Sequence, residues 1–185
     1  MKRFLAILLM AVLLTGCGAE QQMDRALTLR DRLLKSQGCT FDAEITADYG
    51  DAVYAFRMEC QADSLGDLTF TVTAPESISG ITGTVSRDGG KLTFDGAALA
   101  FPMLADGQVI PASAPWLLVQ TLRSGYLTAC CKDGENLRLT IDDSYADQAI
   151  QLDIWLDTQD LPIRGEVLWQ GRRVLSLEVR NFAYL

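Results

Sequence analysis

Hydrophobic and polar residues follow two different periods along this chain, and the change falls at Gly38. Residues 20–37 repeat apolar residues at helical spacing, and Gly38 supplies a helix stop. The residues expected near the buried face of this helix are Met23, Ala26, Leu27, Leu33 and Leu34. From Cys39 onwards the period is two, which predicts half-buried β-strands.

The first two strands are predicted over 39–47 and 52–60, with a turn at residues 48–51. A two-residue turn at Tyr49 and Gly50 sets the register of this hairpin. The facing apolar pairs are then Cys39 with Cys60, Phe41 with Met58, Ala43 with Phe56, and Ile45 with Tyr54. On the other surface Asp42 lies opposite Arg57, so the ribbon has one apolar and one polar face.

Alternation continues to the C-terminus and predicts a sequence of short antiparallel strands. The segments are 68–72, 81–85, 92–94, 98–101, 126–131, 137–141, 150–156, 163–169 and 174–182. One short helix interrupts them at 113–122, with Ser113 or Ala114 as its cap and Pro115 in its first turn. In the last hairpin, a longer turn or a bulge aligns Gly165 with Leu177 and Val167 with Leu175.

These elements predict an α+β fold, mainly β, in which one large sheet is apolar on one face and curls around the two helical segments. The residues expected to line the concave face are Phe41, Ile45, Tyr54, Phe56, Met58, Phe70, Val72, Phe94, Leu152, Ile154 and Leu156. Two interpretations remain open at this point. Either the helices at 23–34 and 116–122 fill a closed core, or a cavity for a lipid tail is left between them.

The N-terminus has the pattern of a secretion signal. Lys2 and Arg3 precede an apolar run from Phe4 to Leu14 that is too short for a permanent membrane span. The run ends in Leu-Thr-Gly-Cys17, which resembles a lipobox, where the cysteine thiol receives diacylglycerol and the new N-terminus an acyl chain such as palmitate. An ordinary signal with a chance cysteine is the alternative.

This N-terminal pattern predicts three segments and a location. Residues 1–16 are a removed signal, 17–19 a lipidated N-terminus and short tether, and 20–185 one domain. The protein is expected outside the cytoplasm, held at the cell membrane by Cys17. The position after Cys17 holds Gly18, whereas an Asp at that position retains many Gram-negative lipoproteins at the inner membrane. The outer membrane is therefore open as a destination if the host is Gram-negative.

Charge and composition exclude several functions. The formal net charge is −8, and loss of Lys2 and Arg3 with the signal makes it −10, which argues against nucleic acid as a partner. The chain contains no histidine, so Ser-His and Cys-His catalysis and histidine-ligated zinc are excluded. We therefore expect no enzyme activity, cofactor or metal site, and membrane attachment through acyl chains.

Four cysteines remain besides Cys17, in a compartment where disulfides persist. Because the register above places Cys39 opposite Cys60, it predicts a disulfide between them, with two buried thiols as the alternative. Cys130 and Cys131 are interpreted as unpaired small residues, Cys131 on the core face with Leu137 and Leu139. Trp155 shares the polar face with Asp153 and Asp157 and is a candidate for a partner surface.

The order of elements resembles the LolA/LolB-like superfamily of periplasmic lipoprotein carriers. The resemblance covers most of residues 20–182 and rests on the helix before the first hairpin, the passage Thr73–Gly80, the segment 160–165, and the ending Leu177–Phe182. It implies an incomplete antiparallel barrel whose hydrophobic cavity receives acyl chains beneath a helical lid. The lid residues are then Trp116, Leu117, Val119 and Leu122.

The resemblance also gives the expected function. The leading hypothesis is a stationary, non-enzymatic lipoprotein that binds a hydrophobic ligand, an acyl chain or lipidated protein, in the half-barrel. The alternative is an accessory lipoprotein that uses a sheet edge or convex face to hold a cell-envelope enzyme. Some Gram-positive lipoproteins of this shape accompany sporulation or germination enzymes in that way.

Overall fold

The chain is built around one large antiparallel sheet, as seen in a computed structural model that describes residues 17–105, 108–146 and 149–185. The predicted signal segment, residues 1–16, lies outside the described residues. Two helices are present, α1 (Cys17–Lys35) and α2 (Ala114–Ser124). The strands are β1 (Gly38–Asp48), β2 (Val53–Asp63), β3 (Leu68–Ala74), β4 (Thr82–Ser86), β5 (Gly89–Phe94), β6 (Ala97–Phe101), β7 (Leu104–Ala105), β8 (Gln108–Val109), β9 (Tyr126–Asp133), β10 (Asn136–Asp142), β11 (Gln151–Leu156), β12 (Pro162–Trp169) and β13 (Arg172–Tyr184).

Eleven strands form the main sheet in the order β6-β5-β4-β3-β2-β1-β13-β12-β11-β10-β9, and β7 and β8 form a separate small hairpin. Neighbours in this order are also neighbours in the chain, except where the C-terminal strand β13 pairs with β1. The two end strands, β6 and β9, leave the sheet open rather than closed into a barrel. The predicted fold class is therefore confirmed.

The register of the first hairpin differs from the prediction by two residues. Phe41 faces Cys60, Ala43 faces Met58 and Ile45 faces Phe56, because the chain turns over Tyr49–Ala52 rather than over two residues. The amide of Tyr49 donates to the carbonyl of Ala52 at 3.1 Å. Because side chains alternate with a period of two, a shift of two changes the partners but keeps every residue on its predicted face.

The last hairpin has the predicted register in its centre. Gly165 faces Leu177 and Val167 faces Leu175. A bulge between Val167 and Leu168 shifts the pairing by one residue before the turn at 170–171. The apolar pairs are thus aligned by a bulge and a short turn together.

Helix α1 buries a different face from the predicted one. Its buried apolar residues are Ala26, Leu29 and Leu33, whereas Met23, Leu27 and Leu34 are exposed. The apolar stripe of this helix is wider than the surface that covers it, and the helix is rotated so that Arg25 and Arg30 also turn inward. The predicted face was therefore only partly right.

Helix α1 begins at Cys17, so residues 17–19, predicted to be a short tether, belong to the first turn of the helix. Its body contacts the edge strand β9 and helix α2. Arg25 forms a salt bridge with Asp160 in the β11–β12 loop, with 2.6 Å between Nη2 and Oδ1. Within the described residues, neither helix combines the length and the hydropathy needed to cross a bilayer.

Candidate functional site

Helix α2 lies across the concave face of the sheet, where the lid segment is expected. It contacts β2, β13, β11 and β10 as well as α1. Pro115 occupies the first turn, but Ser113 does not cap the helix with its side chain, because its hydroxyl donates to the carbonyl of Ile110 at 2.5 Å. Eight of the eleven residues of α2 are buried.

The four predicted lid residues are all buried in this arrangement. They are Trp116, Leu117, Val119 and Leu122. They lie in the same hydrophobic core as the inward-facing residues of the strands. In this structure α2 therefore forms part of the core and covers the centre of the sheet.

Most of the predicted cavity residues are also core residues. Those that are buried are Phe41, Ile45, Met58, Phe70, Val72, Leu152, Ile154 and Leu156. Phe56 is partly buried, and Tyr54 and Phe94 are exposed. Tyr54 lies near the β1–β2 turn and Phe94 near the sheet edge, beyond the part of the concave face that the helices cover. The helices thus fill most of the concave face.

A cavity of about 300 Å³ remains beside α2. Its apolar lining comes from Met103, Leu104, Trp116, Leu117 and Ile150, and its polar lining from Arg87, Gln120, Thr121, Ser124, Gly125 and Asp143. The volume is at the lower end of the range for small-molecule sites, about 300–1,000 Å³. Apolar side chains with a few polar groups are the usual composition of such sites.

Trp116 borders this cavity, and its indole nitrogen is fully buried and has no hydrogen-bond acceptor among the described residues. Trp116 as a whole is 7% exposed. Sequence reasoning assigned Trp116 to the lid as an apolar residue and gave no sign of an unpaired donor, because pairing depends on which acceptors the fold brings near.

Two arginines fix the position of α2, and sequence reasoning identified neither. Arg30 of α1 donates to the carbonyl oxygens of Leu122 and Gly125, each at 2.8 Å, and of Thr121 at 3.3 Å. Burial lowers the pKa of Arg30 from its ordinary value. The sequence signal that could have identified Arg30 was a cationic residue between Ala26 and Leu33, at helical spacing from the buried residues of α1.

The second arginine is Arg123, in the last turn of α2. It donates to the carbonyl of Leu33 at 2.9 Å and to the carbonyl of Ser64 at 2.6 Å. Helix α2 is therefore held to α1 and to the β2–β3 loop through backbone acceptors.

An open groove of about 860 Å³ lies on the polar face of the sheet, opposite α2. Its lining combines threonines, among them Thr69, Thr71, Thr82 and Thr84, with charged and amide side chains. Phe41, Cys60 and Phe70 border it as well, but these side chains are at most 5% exposed and face the core. The groove therefore does not open into the apolar interior.

Trp155 lies on the polar face, as the alternation predicts, but it is only 8% exposed. The guanidinium groups of Arg138 and Arg164 lie over its ring, 5.3 and 4.6 Å from the centroid. Its indole N–H donates to Asp133 at 2.7 Å. These contacts cover the ring that was predicted to mark a partner surface.

The cysteines differ from the prediction. Cys39 and Cys60 are free, buried thiols. Cys39 pairs with Ala62 rather than with Cys60, so the two cysteines are diagonal neighbours. Diagonal positions are about 7–8 Å apart, longer than the usual Cα separation in a disulfide. The predicted disulfide was therefore wrong for this structure.

Cys130 and Cys131 are also free. Cys130 pairs with Leu139 on the core face and Cys131 pairs with Arg138 on the polar face, the reverse of the predicted facing. The cause is a two-residue turn at 134–135 between β9 and β10, with Asp133 facing Asn136. Cys131 is exposed on edge strand β9.

No family model and no curated protein sequence matches this chain. Similar solved structures are a DUF1329 family protein from Desulfovibrio piger and a domain from Vibrio parahaemolyticus described as an outer membrane lipoprotein-sorting protein. Both are 10% identical with a TM-score of 0.50, and each match covers 90% of this chain and 92% or 93% of the other. A LolA superfamily protein from Nitrosomonas europaea is 8% identical over 85% of this chain and 92% of its own, with a TM-score of 0.43. At this level of identity, the matches to the first two structures show a shared fold and nothing further.

Proposed function

We propose that this protein is a cell-envelope lipoprotein that binds one acyl chain, from a lipid or a lipidated protein, in the cavity beside α2. The observation that carries the proposal is the cavity of about 300 Å³ on the concave side of an open half-barrel. Binding there is non-covalent and involves no reaction. The cavity is small enough that a single chain, rather than several, is its expected occupant.

The lining supports an apolar, chain-like ligand. Met103 and Ile150 come from connecting segments around the cavity, Leu104 from strand β7 of the small hairpin, and Trp116 and Leu117 from α2. Transfer of apolar surface from water is worth about 25 cal/mol per Å². A hydrocarbon chain therefore gains binding energy along the lining, and the exposed guanidinium of Arg87, which has no ion pair with the described residues, remains available for its head group.

The start of α1 at Cys17 supports a protein that binds its ligand while it stays at one membrane. The predicted lipidation site, Cys17, is the first residue of α1, and α1 is joined to α2 through Arg30 and Arg123. A lipid on Cys17 would hold the half-barrel next to the bilayer without a long linker. Such a protein receives or holds ligand at one membrane and is not suited to carry it across the envelope.

The test uses the full chain expressed in a bacterial host and purified from membranes. Native mass spectrometry followed by organic extraction detects bound lipid, and a dansyl-labelled fatty acid gives the affinity after delipidation. We expect co-purifying lipid in the wild type and at least a tenfold weaker affinity in Leu104→Arg, because the variant places a charge at the cavity. An empty wild-type protein that does not bind the labelled fatty acid would contradict the proposal.

The matched control is Leu65→Arg. Leu65 is 79% exposed in the β2–β3 loop and does not line the cavity, whereas Leu104 is 37% exposed and does. Equal loss of affinity in the two variants would mean that the effect of Leu104→Arg comes from charge or expression rather than from the cavity. Mass spectrometry of the N-terminal peptide of the same purified protein tests the lipid anchor, because acylation of Cys17 increases the mass of that peptide.

A second candidate function is favoured by the edge strand β6. Its five residues, Ala97–Phe101, are all uncharged and apolar, and Leu99 is 65% exposed. Edge strands offer unpaired backbone groups and are usually protected by charges, prolines or bulges. An extended segment of an envelope protein could add to this edge as a further strand.

This alternative is tested by photo-crosslinking in cells from position 99, with position 65 as the exposed control. A product from position 99 that contains a defined envelope protein, and that Ala98→Pro removes, would favour the accessory role. A strand-breaking proline interferes with addition at the edge because it removes a backbone donor. Absence of a product specific to position 99 would count against this role.

A further inference from the structure

The two edge strands of the main sheet, β6 and β9, differ in how their free edges are protected. Strand β9 carries Lys132 and Asp133 and packs against α1. Strand β6 (Ala97–Phe101) has no charged residue, and β5 is the one described element with which it shares extended contact. An edge without charge or cover is a template for pairing with another strand, which is why sheets usually protect their edges.

The backbone of β6 has unpaired groups at Ala98 and Ala100. Phe94 faces Ala97 across the turn at 95–96, where both residues have positive φ angles. The pair that closes such a two-residue turn is hydrogen-bonded, and hydrogen-bonded pairs then alternate along an antiparallel ladder. The N–H and C=O groups that point to β5 are therefore those of every second residue from Ala97, and those of Ala98 and Ala100 point to the free edge.

The concave side of β6 is apolar and only partly covered. Leu99 faces Leu92 of β5, which lies in the same cross-strand row as the core residue Phe70. Leu99 is 65% exposed and Phe94 is 52% exposed. A further strand with an apolar residue opposite Leu99 would bury part of this surface.

We propose that β6 pairs antiparallel with β6 of a second copy of this chain, with a twofold axis at Leu99, so that two half-barrels share one continuous sheet. Leu99 then faces the partner's Leu99. Ala98 faces the partner's Ala100, and the two residues exchange both of their N–H···O=C bonds, which pairs the free backbone groups of the edge. This inference goes beyond the proposed function, because neither acyl binding nor the accessory role requires a second copy.

Self-complementarity favours a second copy over a different protein as the occupant of this edge. In this register every facing pair is apolar, from Ala97 with Phe101 at the ends to Leu99 with itself at the centre, so no like charges oppose each other. The nearest lysine, Lys91, lies one strand inward, about 14 Å from the partner's Lys91 across three strand spacings. Strand β6 has no charged group that would select a different sequence.

The small size of the interface indicates where the dimer forms. A contact along five residues, a strand about 17 Å long, is smaller than the interface of about 1,200–2,000 Å² that a stable complex buries. The dimer is therefore weak in free solution. Attachment of both copies to one membrane through the proposed anchor raises their effective concentration, so the membrane is where dimers are expected.

The register is tested by oxidative crosslinking of one introduced cysteine to the same cysteine of a second copy, in membranes of the expression host. The background is the full-length chain with Cys130→Ser and Cys131→Ser, which removes the two free cysteines that are not buried. Leu99→Cys should form a disulfide-linked dimer, because Cα atoms in a facing pair without hydrogen bonds are about 4.5 Å apart.

Ala97→Cys is the matched control for this crosslink. Ala97 is exposed in the same strand and on the same face as Leu99, but the proposed register places it opposite the partner's Phe101. Its distance from the partner's Ala97 is then about 14 Å along the strand, too long for a disulfide. We expect about tenfold more dimer from position 99 than from position 97.

Two further variants test the backbone and side-chain contacts. Ala98→Pro removes an N–H that points to the free edge and leaves the bonds to β5 in place, so it should abolish the crosslink from position 99. Leu99→Lys places like charges opposite each other. It should lower the dimer fraction of the otherwise unchanged full-length chain about fivefold, as measured by native mass spectrometry in mild detergent. Leu65→Lys, at an exposed leucine outside β6, is the control, and thermal unfolding checks that each variant is folded.

The outcomes separate this inference from the proposed function. Equal crosslinking from positions 97 and 99, or persistence of the position 99 crosslink in a folded Ala98→Pro variant, overturns the strand pairing while acyl binding stands. A wild type that is monomeric in native mass spectrometry, together with no crosslink in membranes, overturns the dimer. A photo-crosslink from position 99 to another envelope protein in place of a second copy also overturns it and supports the accessory role. A specific crosslink at position 99 in a protein that binds no fatty acid supports the dimer and rejects only acyl binding.

Discussion

Arg30 and Arg123 each donate to the carbonyl groups at the C-terminal end of the helix that carries the other. Arg30 of α1 binds carbonyls at the end of α2, and Arg123 of α2 binds the carbonyl of Leu33 near the end of α1. Helix C-termini carry unpaired carbonyls and a partial negative charge, so two of them side by side repel. The two guanidinium groups satisfy these acceptors and offset the repulsion.

Arg30→Met should destabilise the protein by about 1–3 kcal/mol, because it leaves partly buried carbonyls without donors. The methionine keeps the apolar stem of the side chain and removes only the guanidinium. Chemical denaturation measures the free energy of unfolding. Lys35→Met is the control, since Lys35 is exposed and bonds only Asp31 within the described residues. Equal stability of the two variants would refute the role given to Arg30.

Cys39 and Cys60 should both be alkylated after denaturation without reductant, because both are free thiols in the structure. Iodoacetamide labelling followed by peptide mass spectrometry reports each cysteine separately. In the native protein, Cys131 should react first, since it is exposed while Cys39 and Cys60 are buried. Labelling of Cys39 and Cys60 only after reduction would show that a disulfide forms in the cell.

Stability should fall with rising pH in the alkaline range because of the same buried thiols. Burial raises the pKa of Cys39 to about 11, and burial also raises that of Cys60. The thiol of an unfolded cysteine has a pKa of about 8.5, so above that pH the unfolded state loses protons that the folded state retains. The stabilising contribution is complete below about pH 8.5 and is lost progressively towards the folded pKa values.

Denaturation in reductant at pH 8 and at pH 10 tests this pH dependence. The double variant Cys39→Ala, Cys60→Ala should lose less stability between the two pH values than the wild type. Identical losses in both proteins would assign the pH dependence to other groups.

Gly83→Ala should be destabilising even though alanine is small. A Cβ atom at this position would lie 2.4 Å from Cζ of Phe70 and 2.8 Å from the carbonyl oxygen of Lys91. Phe70 is 4% exposed and cannot swing away into solvent. Overpacking of this kind typically costs about 1–3 kcal/mol. Thermal unfolding should show a lower Tm than for Thr84→Ala, an exposed position in the same strand.

Asp153→Ala should also destabilise the protein, although Asp153 lies on the polar face. Asp153 is 4% exposed, pairs with Arg138, and accepts from the Thr140 hydroxyl at 2.7 Å. Hydrogen bonds to charged groups are worth about 1.5–3 kcal/mol. Asp51→Ala, at an exposed position in the β1–β2 turn, is the control for a lost carboxylate. A destabilisation no larger than that control would show that the Asp153 network contributes little.

Local alternation determined the strands and their faces. Phe41, Ile45 and Met58 are on the core face as predicted, even though the first hairpin is shifted by two residues. An even shift preserves facing, so the alternation alone does not distinguish between such registers. The disulfide prediction needed the exact partner of Cys39, which depends on turn length, and it was wrong for that reason.

The tertiary structure decided which apolar residues of α1 face inward, how far the concave face is filled, and where a cavity remains. Leu29 is buried and Leu27 exposed in the same orientation of α1 in which Arg25 and Arg30 reach Asp160 and the end of α2, acceptors far away in the sequence. The unpaired N–H of Trp116 likewise results from neighbours that only the fold brings together. Periodicity is a local property of the chain. The rotation of a helix, the filling of the concave face and the pairing of buried donors depend on contacts between distant segments, and the sequence pattern does not contain those contacts.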